Sequence, residues 1–296
     1  ISYSVPEMPD CEPEKRLTWL QVRFPQATIL VLTPELVARY NLPAIPHNDA
    51  DIHRHYVATL CLQILRCRPH AVFTAEDYGD GFANVLARRF AQPVEHVRMA
   101  RPVGDEAPSG TLIRSDVHRY RYMLANDVYY SFVRRICLLG GESTGKSTLS
   151  KALADGLDTV YVAEFGRDYW EEKNGILTAD DLLHIACEQV RREQQAEANH
   201  YLICDTSPLT TLFYALDQYG HAPQELHQLA EREYSLVVLC GAEFPFVQDG
   251  TRQGEVFRAR QQVWYEQELS RRNIPYLSVS GSLQERLGQI LHRLPD

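Results

Sequence analysis

The sequence predicts an α/β protein with two doubly wound parallel-sheet domains. Short apolar runs alternate with amphipathic runs along both halves, as in chains whose helices cover a parallel sheet. The pattern G-x-x-x-x-G-K-[ST] occurs once, directly after an apolar run and before a helix-forming run. The composition is 45% hydrophobic and 23% charged over 296 residues, which is enough apolar surface for two medium-sized cores.

The first predicted domain covers residues 1–130. Helices are predicted at 13–23, 52–66 and 81–90, and strands at 28–33, 70–74 and 94–99. Proline and glycine residues predict a loop over 101–109, and a helix over 117–134 is expected to lead into the second domain.

The second predicted domain covers residues 131–296 and continues the alternation of strands and helices. Strands are predicted at 135–139, 159–163, 201–205, 236–240 and 275–279. Helices are predicted at 148–157, 179–197, from Pro208 onwards, at 256–271 and at 283–294.

The glycine-rich pattern lies between the first strand and the first helix of this domain. A glycine turn at a helix N-terminus directs backbone N–H groups and the positive end of the helix dipole at an anion. Lys146 is expected to reach the β- and γ-phosphates of ATP, and the Ser147 hydroxyl to bind Mg²⁺. The predicted nucleotide-binding residues are Gly140, Glu142, Ser143, Thr144, Gly145, Lys146, Ser147 and Thr148.

Two acidic positions follow strands at the sheet edge where that loop begins. Asp205 ends a strand and is predicted to bind the metal or accept a proton from the attacking hydroxyl; capping the next helix is the alternative. Glu164 is its rival as a catalytic residue and, with Arg167, is predicted to bind a small polar substrate. Solvated charges in the first turn of a helix would produce the same pattern at Glu164 and Arg167.

Arginines follow the fourth strand of this domain. Arg252 lies in a D-G-x-R segment, and Arg260 follows in the next helix. Arginines on a mobile lid suit the charge on a transferring phosphoryl group, although an ordinary surface loop is an equal alternative. No N-K-x-D guanine motif follows this strand, where the sequence is Leu239-Cys240-Gly241-Ala242, so a small-molecule kinase is favoured over a GTPase.

Charge and cysteine usage exclude several protein classes. A formal net charge of −9 argues against nucleic-acid binding, which depends on basic residues. Seven widely spread cysteines, mostly in apolar runs, predict reduced buried thiols and a cytoplasmic location. No apolar run is long enough to predict a membrane span.

The second half resembles the ribosylnicotinamide kinase domain of the NadR-type NAD-biosynthesis proteins. The similarity rests on the glycine-rich loop, the run at 164–168, Asp205-Thr206 and the segment at 249–252 with Arg260. It implies ATP- and Mg²⁺-dependent conversion of nicotinamide riboside to nicotinamide mononucleotide (NMN) by a P-loop kinase domain.

Two motifs of the first half are similar to the adenylyltransferase domain of the same family, which makes NAD from NMN. The run at 109–114 resembles a triphosphate-binding signature, which assigns Ser109, Thr111 and Arg114 to ATP; an ordinary capped helix start is the alternative. The run at 74–79 resembles the loop near NMN, which assigns Tyr78 to substrate. The family's G-x-F-x-P-x-H-x-G-H stretch does not occur in this sequence. We therefore expect a partial Rossmann-like nucleotidyltransferase half with weak or no adenylyltransferase activity.

Two alternative functions stay open at this point. Another nucleoside or nucleotide kinase would use the same loop and lid. A regulatory protein would bind NAD or ATP in the first half without chemistry there. An exposed sheet edge would also favour a homo-oligomer.

Overall fold

The computed structural model describes residues 1–2, 10–44, 49–75, 78–100, 110–250 and 252–295. The chain divides into two compact units, residues Ile1–Ser131 and Phe132–Asp296. Each unit combines helices with a parallel sheet, so the α/β fold class is confirmed.

The first unit carries a small sheet. Its helices are α1 Pro13–Arg23, α2 Pro34–Arg39, α3 Ala50–Leu60, α4 Gly79–Phe90, α5 Gly110–Ser115 and α6 Asn126–Tyr130, and its strands are β1 Ala71–Thr74 and β2 Glu95–Arg98. A π-helical turn, Cys61–Leu65, extends α3. β1 and β2 are parallel, and in the described part of this unit they form the whole sheet.

The strand predicted at 28–33 is wrong. Leu30, Val31 and Leu32 are buried, but the described residues give this segment a single bridge, from Ser2 to Val31. The last residue of the predicted strand, Thr33, instead caps the start of α2, where its hydroxyl accepts from the Leu36 N–H. An apolar run indicates that a segment is buried, but a buried segment need not pair with a neighbouring strand.

The helix predicted at 117–134 is also wrong. The chain turns after α5, where the Asp116 carboxylate accepts from the Arg119 N–H, and continues as a short 3-10 helix at Arg121–Met123 and as α6. Local side-chain hydrogen bonds of this kind compete with a continuous helix. The loop predicted at 101–109 lies outside the described residues.

The second unit contains a five-stranded parallel sheet. Its strands are β3 Arg134–Leu139, β4 Val160–Val162, β5 Tyr201–Asp205, β6 Leu236–Cys240 and β7 Tyr276–Val279. Its helices are α7 Lys146–Gly156, α8 Phe165–Glu172, α9 Ala179–Gln195, α10 Pro208–Tyr219, α11 Gln224–Leu229, α12 Glu255–Arg271 and α13 Leu283–Leu291.

The strand order places β3 at the centre of the sheet. The order is β4-β5-β3-β6-β7, and the direction of succession changes at β3. In open parallel sheets, ligands bind in the crevice beyond the carboxyl ends of the strands at such a switch point. Leu138 on β3 lies opposite Asp205 on β5, so the loop after β3 and the end of β5 share that crevice.

The sheet is covered on both faces. One cluster of buried side chains joins it to α8–α10 and α12, and a second joins it to α7 and α13. The side chains of Ile136, Cys137, Leu138 and Leu139 are at most 2% exposed, which fixes the origin of the loop that follows β3. Capping boxes at Thr178 and Ser282 define the starts of α9 and α13.

Candidate functional site

The loop after β3 has a backbone that depends on its glycines. Gly140 has a φ of 145° and Gly145 a φ of 81°, which are unfavourable for residues with a side chain. A Cβ atom on Gly140 would lie 2.8 Å from the Cys240 carbonyl oxygen. The loop can therefore approach β6 closely only with glycine at this position.

Side chains within the loop hold its curvature. The Thr144 hydroxyl donates to the Gly141 carbonyl at 2.8 Å. The Lys146 ammonium donates to the carbonyls of Gly140 at 2.8 Å and Gly141 at 3.0 Å. These contacts keep the cation on the loop, beside the position that a phosphate group would take.

Three partners outside the loop also position its backbone. Gln262 and Gln261 of α12 accept from the N–H groups of Gly141 and Glu142. Arg286 of α13 donates to the Thr144 carbonyl at 2.7 Å, and its guanidinium is 1% exposed. The sequence did not identify these residues as part of the site, because they lie more than 100 positions from the loop.

Asp205 lies at the end of β5, as predicted, and its side chain is 2% exposed. Burial raises the pKa of the Asp205 carboxyl, whereas nearby Lys146 and a hydrogen bond with Ser147 lower it. Its Oδ1 atom has no hydrogen-bond partner within the described chain. The cap of α10 is provided by Ser207, which accepts from the Leu209 N–H, so Asp205 is free of that role.

Glu164 and Arg167 flank the start of α8. Glu164 precedes the helix without a side-chain capping bond, and burial raises the pKa of its carboxyl against the lowering effect of Lys146. Arg167 forms an ion pair with Asp249 at 3.3 Å. Both residues line the same cavity as the loop.

The segment around Arg252 lies against the loop. Arg252 donates to the Ser143 hydroxyl at 3.2 Å and pairs with Asp249 at 3.1 Å. The Gln253 N–H donates to the Glu142 carboxylate at 2.8 Å. This segment therefore contacts the nucleotide loop directly.

Arg260 occupies a different environment. It pairs with Asp217 at 2.8 Å, and its side chain is 57% exposed. Asp217 lines the cavity, whereas Arg260 does not. Arg252 therefore contacts the loop, whereas Arg260 contacts Asp217 without lining the cavity.

These elements enclose a cavity of about 680 Å³. Lys146, Glu164 and Arg252 line one part of it, and apolar and aromatic side chains such as Trp170, Leu177 and Leu182 line another. Ser147, Thr148, Gln189 and Tyr214 also line it. A pocket with convergent polar groups beside an apolar wall is typical of a small-molecule site.

The predicted site residues of the first unit are only partly described. Arg114 of α5 donates to the Thr111 hydroxyl at 3.3 Å. Tyr78, before α4, is 46% exposed. Ser109 lies outside the described residues, as do Glu76 and Asp77 of the second motif.

The described helices include none that is both long and apolar enough to cross a membrane. In the same part of the chain, no group of three or more His, Cys, Asp or Glu side chains is arranged to hold a metal ion.

A family model described as an AAA domain matches residues 135–286. This match covers just over half of the 296 residues. The chain belongs to the AAA domain family. The matched range begins in β3 and ends at Arg286, so it contains the loop, the segment around Arg252 and the cavity.

Two curated relatives confirm the similarity to the NadR-type proteins. They are the trifunctional NAD biosynthesis/regulator proteins NadR of Salmonella typhimurium and of Escherichia coli. Each is 34% identical over 151 aligned positions, and the match covers 49% of this chain. The match spans only 37% of the length of each relative.

Two solved structures share the fold. A NadR protein in complex with NR has a TM-score of 0.59, and one in complex with NAD and AMP-PNP has a TM-score of 0.56. Both are 20% identical; they cover 95% and 94% of this chain, and each match covers 82% of the solved chain.

Proposed function

We propose that residues 131–296 form an ATP-dependent kinase that converts nicotinamide riboside to NMN in NAD biosynthesis. One observation carries the proposal: Lys146, Ser147 and Glu164 line one cavity at the carboxyl edge of the sheet, and the Asp205 carboxylate at the end of β5 hydrogen-bonds with Ser147 beside it. The 34% identity to the NadR proteins, whose names state a role in NAD biosynthesis, supports the choice of pathway.

In this reaction the riboside 5′-oxygen forms a bond to the γ-phosphorus, and the bond from that phosphorus to the β,γ-bridging oxygen breaks. Lys146 leaves its carbonyl partners to bind the β- and γ-phosphates, and Arg252 neutralises the charge that develops on the transferring group. Glu164 accepts the proton of the 5′-hydroxyl, a role for which its raised pKa is suited.

The residues present fit a magnesium ion. The buried Asp205 Oδ1 atom has no partner in the described structure, and Ser147 hydrogen-bonds with the same carboxylate. Mg²⁺ is usually held by one or two protein oxygens, with phosphates and waters as the other ligands. When bound there by Ser147 and Asp205, it would neutralise phosphate charge.

The cavity provides distinct surroundings for the two parts of the riboside. Glu164 and Arg167 are polar partners for the ribose hydroxyls. Trp170, Leu177 and Tyr214 offer an apolar and aromatic wall for the nicotinamide ring. This division supports a nucleoside substrate with a flat ring.

For residues 1–130 we propose a nucleotidyltransferase-like domain in which Thr111 and Arg114 contact triphosphate. The hydroxyl and the guanidinium are adjacent on α5, as that role requires. Titration of the full chain with NAD, in wild type and in a Thr111→Val/Arg114→Met variant, tests whether this domain binds a nucleotide.

The kinase assignment is tested by incubating the protein with ATP, Mg²⁺ and a panel of ribosides and measuring product formation. Nicotinamide riboside should be the preferred acceptor, and Lys146→Ala should abolish turnover. Lys151→Ala is the matched control, because Lys151 is exposed on the same helix. Preference for thymidine or a nucleoside monophosphate would instead identify a different nucleotide-metabolism kinase.

A further inference from the structure

Gln189 is a buried polar residue in the cavity that the proposed mechanism does not use. It lies on α9, its side chain is 2% exposed, and it lines the cavity together with Leu182 and Ile185. The spacing of these three residues places them on one face of the helix, toward the cavity.

The orientation of the Gln189 amide is fixed by the start of α8. Its Oε1 atom accepts from the Phe165 N–H at 3.0 Å. Phe165 is the first residue of α8, so its N–H has no partner inside the helix. Rotation of the amide by 180° would bring two donors together, which the hydrogen-bond pattern excludes.

The Nε2 atom of Gln189 is therefore a donor in need of a partner. It is buried and makes no hydrogen bond within the described structure. Buried amide groups in proteins are nearly always hydrogen-bonded, because leaving one unpaired is costly. Leu182 and Ile185, which share this face of α9, have no acceptor atoms to offer it.

We propose that Gln189 determines substrate specificity by donating a hydrogen bond from Nε2 to an acceptor oxygen of the riboside. The identity of the substrate in this inference rests on the proposed function. The unpaired Nε2 donor does not, because it is seen in the structure itself. A ribose hydroxyl and the nicotinamide carboxamide both offer such an oxygen. The Glu164 carboxylate, which accepts hydrogen bonds but cannot donate them when it is ionised, lines the same cavity, so Gln189 and Glu164 together offer the substrate a donor and an acceptor.

The test compares Gln189→Leu, Gln189→Glu and wild type in steady-state kinetics. Gln189→Leu removes the donor, and we expect KM for the riboside to rise about tenfold while KM for ATP stays unchanged. Gln189→Glu keeps an oxygen to accept from the Phe165 N–H but loses the amide donor, so it should show the same rise. Gln194→Leu on the exposed side of α9 is the control and should match wild type.

Two substrate analogues identify the oxygen. One lacks the carboxamide, and the other lacks the ribose 2′-hydroxyl. The analogue that has lost the Gln189 partner should bind wild type about tenfold more weakly and should lose nothing further in Gln189→Leu. Equal losses for both analogues in wild type and variant would overturn the inference.

The outcome for Gln189 is separate from the outcome for the proposed function. If wild type phosphorylates a different nucleoside, the kinase assignment changes, and the same variants are measured with that acceptor. If Gln189→Leu has a normal KM for the acceptor that wild type uses, the specificity role is wrong while the kinase assignment stands. If only Gln189→Leu is impaired and Gln189→Glu is normal, Gln189 acts solely by holding α8, which also overturns the inference.

Discussion

At the scale of single residues, the nucleotide loop is held by contacts that act on its backbone. Gly140 allows the loop to approach β6 closely, and Arg286 donates a hydrogen bond to the Thr144 carbonyl. Gln261 and Gln262 bind two of its N–H groups. The loop is thus pre-shaped by its neighbours, and changes at these neighbours should alter ATP binding without touching a phosphate.

Gly140→Ala should destabilise the second unit and impair ATP binding. The φ of 145° is unfavourable for alanine by about 1–3 kcal/mol, and the new methyl group would collide with the Cys240 carbonyl. Urea unfolding and the KM for ATP measure the two effects. Gly156→Ala is the control, because a Cβ there has no heavy atom within 4 Å and the change should be neutral or slightly stabilising. Equal behaviour of the two variants would contradict the argument.

Arg286→Met should cost about 1–3 kcal/mol of folding stability. The guanidinium donates to the buried Thr144 carbonyl and to the part-buried carbonyls of Gly281 and Gly241, and a buried acceptor left without a donor costs about 1–3 kcal/mol. The KM for ATP should also rise, because the Thr144 carbonyl belongs to the loop. Arg293→Met, at an exposed position, should leave both quantities unchanged.

At the scale of secondary-structure elements, the segment around Arg252 and α12 make different contributions. Arg252 and Gln253 contact the loop, whereas Arg260 pairs with Asp217 and does not line the cavity. The helix itself supports the loop through Gln261 and Gln262. The sequence assigned Arg252 and Arg260 to the same role, but their contacts place them in different surroundings.

Arg252→Ala should reduce kcat by on the order of 100-fold or more, because an arginine on the transferring phosphoryl group stabilises developing charge. Arg260→Ala should reduce it by only a few-fold, since exposed ion pairs contribute little. Single-turnover rates at saturating ATP make the comparison. A larger loss for Arg260→Ala would reverse the ranking.

The C-terminal part of α12 should give the second unit an acid-sensitive contribution to stability. Glu268 accepts from Arg271 and Arg272, and these hydrogen bonds lower the pKa of its carboxyl from 4.5 to about 2. A lowered pKa in the folded state means that the contribution is fully present above pH 4.5 and is lost as pH falls toward 2. Unfolding in urea between these pH values should be less pH-dependent for Glu268→Gln than for wild type. The exposed Glu266 on the same helix provides the control, Glu266→Gln.

At the scale of the whole molecule, the sequence predicted the sheet of the second unit better than the details of the first. The three central strands of the second unit, β5, β3 and β6, are apolar runs that are mostly buried, which is the strongest local signal for a parallel sheet. The glycine-rich loop and Asp205 could be predicted because they follow such strands directly. The run at 28–33 has the same composition but only one bridge in the described structure, because pairing depends on a partner strand.

The contributions of Arg286 and Gln189 could not be predicted for a related reason. Arg286 lies 142 positions from the carbonyl that it contacts, and nothing local distinguishes it from a surface arginine. The Gln189 amide is oriented only when α9 packs against the start of α8, where the Phe165 N–H donates to it. Side chains that act through tertiary contacts leave no periodic signal in the sequence.

The second unit should fold and bind ATP when it is produced alone as residues 132–296. Its five-stranded sheet, both of its buried clusters and every residue of the cavity belong to this range. A chain of this length buries enough apolar surface to fold as one domain. Cooperative urea unfolding, ATP titration and riboside kinase assays should give values close to those of the full chain, with Lys146→Ala as the inactive control. Non-cooperative unfolding, or loss of ATP binding in a folded fragment, would show that the kinase site depends on residues 1–131.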